Sequence, residues 1–239
     1  MELSVVIPVY NEAENVRPLC EEVRASLAGC PFEIIFVDDA STDATGDELR
    51  ALRAEYPEVR TLRHRQNAGQ SAALLTGIRA AKADWIATLD GDGQNDPADI
   101  VTLLERRDAV GQAPPDMLAG HRQKREDTWI RRMSSRVANG VRSRLLQDDT
   151  PDTGCGLKLF RRELFLEFPH FNHMHRFMPA LTRRAGGRVE TVRVRHRPRQ
   201  HGQSKYGLFD RLWVGIVDLF GVMWLRSRPC HVGSEEQTQ

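Results

Sequence analysis

Asp90-Gly91-Asp92-Gly93-Gln94 sets two carboxylates and an amide oxygen within five residues. It follows an apolar run, Trp85-Ile86-Ala87-Thr88-Leu89, that predicts a buried strand. A strand that stops at two acids puts carboxylates at the edge of a sheet. Gly91 and Gly93 let the backbone turn and come close to a ligand. Two carboxylates plus an amide oxygen suit a hard divalent cation that keeps some of its waters and binds a diphosphate. The plain alternative is a polar strand-to-helix turn, with Asp96-Pro97 opening the next helix.

The elements that must hold this loop follow from the apolar spacing. Residues 3–9, 34–37, 59–62 and 85–89 are short apolar runs with polar ends, as buried parallel strands are. Helical patterns fill 12–27, 44–56, 71–81 and 96–110. The alternation predicts βαβ units and a twisted parallel sheet, an α/β fold. Pro114-Pro115 breaks the fourth helix before a short strand at 117–119. An Arg-rich helix over 128–147, a loop over 148–156, a strand over 157–160, a helix over 174–185 and an exposed strand over 188–196 follow. Open α/β sheets bind ligands at the carboxyl ends of their strands. Three polar clusters stand at such ends: Pro8-Val9-Tyr10-Asn11-Glu12, Asp38-Asp39 and Asp90-Gly91-Asp92. No glycine pattern of the dinucleotide or P-loop type is present.

The length of 239 residues and 40% apolar content allow one large domain with a real core. Cys20, Cys30, Cys155 and Cys230 show no C-x-x-C spacing, which argues against a zinc site or a disulfide framework and fits a reducing compartment. The sequence opens directly on strand-like residues, which predicts no signal peptide. The net charge of +1 hides an asymmetry: residues 1–100 carry 18 acids and 9 bases, and residues 101–239 carry 15 acids and 25 bases. The basic half calls for an anionic partner.

Taken together, Ser4-Val5-Val6-Ile7-Pro8-Val9-Tyr10-Asn11-Glu12, Val37-Asp38-Asp39-Ala40-Ser41-Thr42-Asp43 and Asp90-Gly91-Asp92 closely resemble the inverting family 2 glycosyltransferases. Asp90-Gly91-Asp92-Gly93-Gln94-Asn95-Asp96-Pro97 resembles the D-x-D-x-Q-x-x-P pattern of the polyprenyl-phosphate members, the dolichyl- and undecaprenyl-phosphate glycosyltransferases. Gly120-His121-Arg122, Arg131 with Ser135, Asp152-Thr153-Gly154-Cys155-Gly156 and Arg199-Gln200-His201-Gly202-Gln203-Ser204-Lys205 fall where that group carries its acceptor motifs. The chain ends soon after Arg228, where many bacterial members continue into two transmembrane helices.

The resemblance implies a GT-A fold, a Rossmann-like mostly parallel sheet flanked by helices, and a C-terminal amphipathic helix. It divides the chain into a glycosyltransferase domain over 1–206 (nucleotide-sugar half 1–111, acceptor half 112–206), an interface helix over 207–228 and a disordered tail over 229–239. It implies a UDP- or GDP-sugar donor, Mg2+ or Mn2+, and a polyprenyl phosphate acceptor. Pro8, Tyr10, Glu12, Val37 and Asp39 would line the nucleoside pocket, with Asn67, Gly69, Gln70 and Gly91 on its rim. The alternatives here are a helix start capped by Asn11 and an Asx-type turn at Asp38-Asp39. Asp90, Asp92 and Gln94 would hold the metal against the diphosphate. A phosphate acceptor needs cations more than a base, because its second pKa near ~6 leaves it ionised at neutral pH. Arg122, Arg131, Arg199 and Lys205 suit that role, with Ser135 and Ser204 as hydrogen-bond donors. Asp152 would orient an arginine, contact the sugar or serve its loop. Arg132, Arg136, Arg142, Arg144, Arg193, Arg195 and Arg197 read as a solvated or headgroup-attracting surface.

His170, His173 and His175 read as loop or surface residues rather than a zinc site, and Cys155 as a small buried residue. In the stretch 209–225, Phe209, Leu212, Trp213, Ile216, Phe220, Met223 and Trp224 share one helical face opposite Arg211 and Asp218. This predicts a peripheral enzyme on the cytoplasmic face of the inner membrane, with a membrane-protein partner or a homo-oligomer as further means of attachment. The alternative is a helix packed on the protein's own core. Competing functions are transfer to a saccharide or other hydroxyl, which needs a carboxylate base, and a catalytically silent scaffold. Nucleic-acid binding has charge alone in its favour, and no nucleic-acid partner is expected.

Overall fold

The computed structural model describes residues 1–109, 114–122, 145–146, 150–198 and 208–228, with the backbone alone over 208–214. Strands β1 (Leu3–Val9), β2 (Phe32–Asp38), β3 (Val59–Arg63) and β4 (Trp85–Thr88) alternate with helices α1 (Ala13–Ser26), α2 (Thr45–Glu55), α3 (Gln70–Ala80) and α4 (Ala98–Ala109). Then come β5 (Met117–Arg122), β6 (Lys158–Arg161), α5 (Arg162–Leu166), a 3-10 turn at Met174–Arg176, α6 (Met178–Arg184), β7 (Val189–Val194) and α7 (Leu208–Arg226).

The sheet order is β3-β2-β1-β4-β6-β5-β7. All pairings are parallel except those of β6, which runs antiparallel to both β4 and β5. That reversal brings the start of β6, not its end, to the edge where β1, β2 and β4 finish, and Thr88 pairs with Lys158 there.

Strand period two sorts side chains to opposite faces. Leu3, Val5, Ile7, Ile34 and Phe36 face a core built with Val16, Leu19 and Val23 of α1, Leu49 and Leu52 of α2, and Ile100 and Leu103 of α4. Val6, Ile35 and Val37 face the second core, with Ala73, Leu74 and Ile78 of α3, Phe165 of α5 and Leu181 of α6. Truncating a fully buried aromatic such as Phe36 would cost roughly 3–5 kcal/mol.

The first four strands and helices match their sequence-based bounds to within a few residues. The expected helix over 174–185 is broken in two, because Pro179 stands in the first turn of α6, where proline starts a helix rather than continuing one. The expected exposed strand over 188–196 is mostly half-buried as β7. The short helix α5 had no counterpart in the sequence reading. The Arg-rich stretch over 128–147 lies almost wholly outside the described residues, and the tail over 229–239 entirely so.

Helix α7 presents two faces. Val222 is fully buried, and Leu219 and Met223 pack on the second core. Arg184 of α6 ties its end by donating to the carbonyls of Leu225 (2.8 Å) and Arg228 (3.1 Å). Ile216, Val217, Phe220 and Trp224 point outward, Phe220 being 64% and Trp224 61% exposed. The core-packed alternative thus holds for one face, and the other is apolar and exposed, with Met223 on the core side rather than the outer one. Phe209, Leu212, Trp213 and Arg211 have side chains outside the described residues.

Candidate active site

A cleft of about 720 Å³ opens where β1, β2 and β4 end. Of the residues singled out in the sequence, it is lined by Pro8, Tyr10, Glu12, Asp39, Asn67, Gln70, Asp90, Gly91, Asp92, Gln94 and Arg122. All three polar clusters therefore meet in one place.

The carboxylate loop is closed by its own side chains. The Asn95 Oδ1 accepts the Asp90 N–H at 3.2 Å, and the Asp92 Oδ1 accepts the Gln94 N–H at 3.2 Å. Gln70, at the start of α3, donates to the Asp90 Oδ1 at 2.8 Å. Gly91 earns its place by packing: a Cβ there would lie 2.7 Å from the Val9 side chain and 2.9 Å from the Pro8 carbonyl. The sequence had assigned its freedom to a ligand, but β1 fills that space. Gly156 does the same for Asp90, since a Cβ there would overlap the carboxylate. Thr88 holds that strand start by donating to the Gly156 carbonyl at 2.7 Å.

Burial, then the negative charge of Asp92, pushes the Asp90 carboxyl up to about 6. A buried carboxylate that feels a second negative charge beside it fits a divalent cation, which relieves the repulsion a proton would otherwise relieve. No three His, Cys, Asp or Glu side chains cluster as a metal site among the described residues. Asp90, Asp92 and Gln94 all line the cleft, and two carboxylates with an amide oxygen could hold a cation that keeps waters or takes diphosphate oxygens.

Asp39 proves to be a hub. Its Oδ1 accepts from the Ala68 N–H (2.9 Å) and His64 Nδ1 (2.7 Å), and its Oδ2 from the Gly69 N–H (2.7 Å). Asn67 adds a bond to the Asp39 carbonyl at 3.2 Å, and His64 Nε2 meets the Thr76 hydroxyl at 2.9 Å. Asp39 thereby shapes the rim that contains Asn67, Gly69 and Gln70. Asp38 makes the expected turn, accepting the Ser41 N–H at 2.8 Å. Asn11 is not a helix cap: its Oδ1 accepts the Thr42 N–H at 2.8 Å, and residue 11 takes φ 53°. Glu12 stands at the cap position of α1 and binds the Asn15 amide at 2.6 Å. Val37 does not line the cleft. Strand alternation turns its side chain into the second core, against the place where α3 carries Gly77.

Cations line the same cleft. Arg122, at the end of β5, is gripped by Asp152 through Nε (2.6 Å) and Nη2 (2.8 Å), a two-point pair with both side chains largely buried. Burial opposes the charge on Arg122, but the Asp152 bonds outweigh it and raise its pKa. Asp152 therefore orients an arginine, the first of the roles open to it. Lys158, only 4% exposed, donates to the Cys155 carbonyl; burial lowers its pKa, offset in part by Cys155 and Asp90. Cys155 is buried, and burial raises its thiol pKa.

Sequence reasoning missed Lys158, His175, Arg176 and Met178, which also line the cleft. His175 is not a surface residue. The Ser71 hydroxyl, at the start of α3, bonds its Nδ1 at 2.8 Å and accepts its N–H at 3.4 Å. Burial, with Arg176 adding to it, drives the His175 pKa down to about 3, so the ring is neutral at physiological pH. Of the other histidines, His170 packs beside the Phe165 ring and His173 pairs with Asp218 of α7 at 3.3 Å.

Arg131, Ser135, Arg199, Ser204 and Lys205 lie outside the described residues, as do Arg132, Arg136, Arg142 and Arg144. Arg195 and Arg197 are not a headgroup-attracting surface: both are ion-paired with buried carboxylates.

The sequence profile of glycosyl transferase family 2 matches residues 4–168. The chain belongs to that family. It is a glycosyltransferase. A dodecaprenyl-phosphate galacturonate synthase of Rhizobium johnstonii is 39% identical over 97% of this chain and 70% of its own length. An undecaprenyl-phosphate 4-deoxy-4-formamido-L-arabinose transferase of Edwardsiella ictaluri is 37% identical over 86% of this chain and 63% of its own length. The fold is GT-A. A mannosyltransferase from Pyrobaculum calidifontis, solved with GDP-Man and Mn2+, superposes with a TM-score of 0.68 at 20% identity, over 92% of this chain and 63% of that one. Glucosyl-3-phosphoglycerate synthase from Mycobacterium tuberculosis, solved with Mg2+ and UDP, gives 0.70 at 17% identity, over 94% and 79%.

Proposed function

We propose that this glycosyltransferase moves one sugar from a nucleotide sugar to the phosphate of a polyprenyl phosphate, with inversion, at a membrane surface. The observation that carries the reading is that one cleft holds both charges: carboxylates Asp90 and Asp92, and the cations Arg122, in the grip of Asp152, and buried Lys158. The names of the two relatives, both polyprenyl-phosphate sugar transferases, support the same acceptor.

Glu12, Tyr10 and Pro8 form the wall against which the nucleoside rests, with the rim that Asp39 organises closing over it. Asp90, Asp92 and Gln94 would hold Mg2+ or Mn2+, which would supply positive charge against the leaving diphosphate. Arg122 faces the acceptor phosphate as a rigid two-point donor, because Asp152 fixes its plane. One phosphate oxygen forms the bond to the anomeric carbon as the bond from that carbon to the diphosphate breaks. The phosphate dianion brings its own electron pair, so no protein base is required. Among the described residues the carboxylates that line the cleft are Glu12, Asp39, Asp90 and Asp92, all from the first half of the chain, and the acid bonded to Arg122 is Asp152. A hydroxyl acceptor would need a base in that position. His175 is a neutral ring in the cleft lining that can meet the sugar or the diphosphate. Arg131, Ser135, Arg199, Ser204 and Lys205 complete the acceptor side.

Among the described residues no helix is long and apolar enough to cross a membrane. The 19 residues of α7 span about 28 Å. Its outer face of Ile216, Val217, Phe220 and Trp224 suits the acyl–headgroup boundary, with Arg226 and Arg228 at its end, on the cytoplasmic face.

The test is a transfer assay with radiolabelled UDP- and GDP-sugars, UDP-galacturonic acid among them, and a short polyprenyl phosphate, with Mn2+ or EDTA. Label entering the lipid phase only with metal is the expected result. Nucleotide binding with no lipid product from any donor would overturn the acceptor assignment.

A further inference from the structure

The chain keeps its register with β2 one residue past the end of β3. Arg63 pairs with Asp38, and the His64 N–H donates to the Asp38 carbonyl at 2.9 Å. Val37 and Leu62 both face the second core, so alternation turns Asp39 and His64 to that same side, toward α3. There the His64 ring stands between two partners. Its Nδ1 donates to the Asp39 Oδ1 at 2.7 Å, since a carboxylate accepts, and its Nε2 meets the Thr76 hydroxyl of α3 at 2.9 Å.

Two backbone groups also hold Asp39, the Ala68 N–H at 2.9 Å on Oδ1 and the Gly69 N–H at 2.7 Å on Oδ2. The imidazole adds a third bond, and the number matters. A carboxylate accepts at about four places, shared equally by its oxygens. Ala68 and His64 together fill Oδ1, and Gly69 takes part of Oδ2. Among the described residues, a single place on Oδ2 is then left, on a side chain that lines the cleft and is 4% exposed. The nucleobases differ in what they would bring to it. Guanine presents N1–H and an amino hydrogen side by side, which a carboxylate takes with both oxygens. Cytosine and adenine turn a ring-nitrogen lone pair toward a carboxylate. Uracil presents one N3–H between two carbonyls and needs one acceptor.

We infer that His64, backed by Thr76, is a positioning residue for the donor's base: it fills and fixes Oδ1 of Asp39, so that one acceptor place remains and the cleft takes a uracil nucleotide rather than a guanine one. The inference deepens the proposed function and rests on its nucleotide-sugar half, not on the acceptor. A site built to accept one N–H rejects a base that lacks it, because the acceptor is then left buried and unpaired. His64 sets how sharply that rule applies. An Asp39 with Oδ1 open, or free to turn, would meet either pattern of donors.

The test measures, by calorimetry with Mn2+, the affinity of the full chain for UDP, GDP and N3-methyl-UDP, and repeats it on His64→Ala, His64→Asn, Thr76→Val and Arg65→Ala. The parent should prefer UDP to each of the others by about tenfold or more. His64→Ala should shrink both preferences to about threefold or less, mainly by weakening UDP. An asparagine amide can again donate to Asp39, so His64→Asn should recover most of the discrimination. Thr76→Val should shift both preferences in the direction of His64→Ala, by less. Arg65 is exposed and next in the chain, and Arg65→Ala should leave all three affinities within about twofold, as surface charge changes do. A parent that binds GDP as well as UDP, or that does not distinguish UDP from its N3-methyl form, would overturn the inference and leave the glycosyltransferase reading standing. A His64→Ala chain with a lowered melting temperature but both preferences intact per folded molecule would overturn it too. Should His64→Ala fail to fold, Thr76→Val decides, and no change in either preference would overturn the inference. If the parent transfers nothing to lipid phosphate, the acceptor reading fails, while these affinities still decide the role of His64.

Discussion

The two halves of the cleft are built by different means. Its acids come from strand ends: Asp39 after β2 and Asp90 and Asp92 after β4 lie where parallel topology must bring them together. Its cations have no such default. They are held one at a time, Arg122 by Asp152 and Lys158 by the Cys155 carbonyl. Carboxylates can be left at a sheet edge for a cation to collect, whereas an arginine that must meet a phosphate squarely needs a second acid behind it.

The sharpest break of that comparison is Asp92→Ala. It should reduce transfer by about a thousandfold or more, on the scale of removing a principal electrostatic group, and leave the melting curve in place; unchanged turnover would remove the carboxylates from metal binding. On the other wall, Asp152→Asn keeps the shape and frees Arg122 to rotate. The expected loss is about 10²-fold in kcat/KM for the lipid, as for a misplaced positioning group, with Mn2+–nucleotide affinity unchanged by calorimetry. Equal damage to donor binding would mean that the halves are not separable in this way.

A milder test uses pH. Because burial and Asp92 raise the Asp90 carboxyl to about 6, protons compete with the cation below that value. Mn2+ affinity should be full above pH 7 and fall about tenfold per unit as pH drops below 6. His175, held near 3, stays neutral over that window and adds nothing to the profile. The smallest effect is expected at the rim of the molecule. Phe220→Ser with Trp224→Ser should cut flotation with anionic vesicles several-fold, and leave kcat on a short, water-soluble prenyl phosphate within about twofold. Undiminished flotation would take α7 out of membrane contact.

The same contrast explains what the sequence could disclose. Strands β1 to β4 and their helices follow from apolar runs with polar ends, and the acid clusters mark those ends without any need of the structure. Lys158 and His175 carried no local signal. Lys158 reaches the cleft because β6 is reversed and pairs with Thr88, and His175 because a turn places it against Ser71, 104 residues away. Arg195 and Arg197 read as free positive charge because their acids lie about a hundred residues earlier in the chain. Net charge by halves finds an excess but does not pair it. Val37 was drawn into the nucleoside pocket by its place in a motif, and only the alternation of β2 shows that it faces the other way.

The central claim is that a phosphate, not a hydroxyl, is the nucleophile in this cleft. It is tested most directly by offering the enzyme, with Mn2+ and the donor found to bind, polyprenyl phosphate and the matching polyprenol side by side. Product should form from the phosphate alone, with a rate for the lipid that rises as the phosphate loses its second proton near pH ~6 and is flat above it. Product from the alcohol would contradict it.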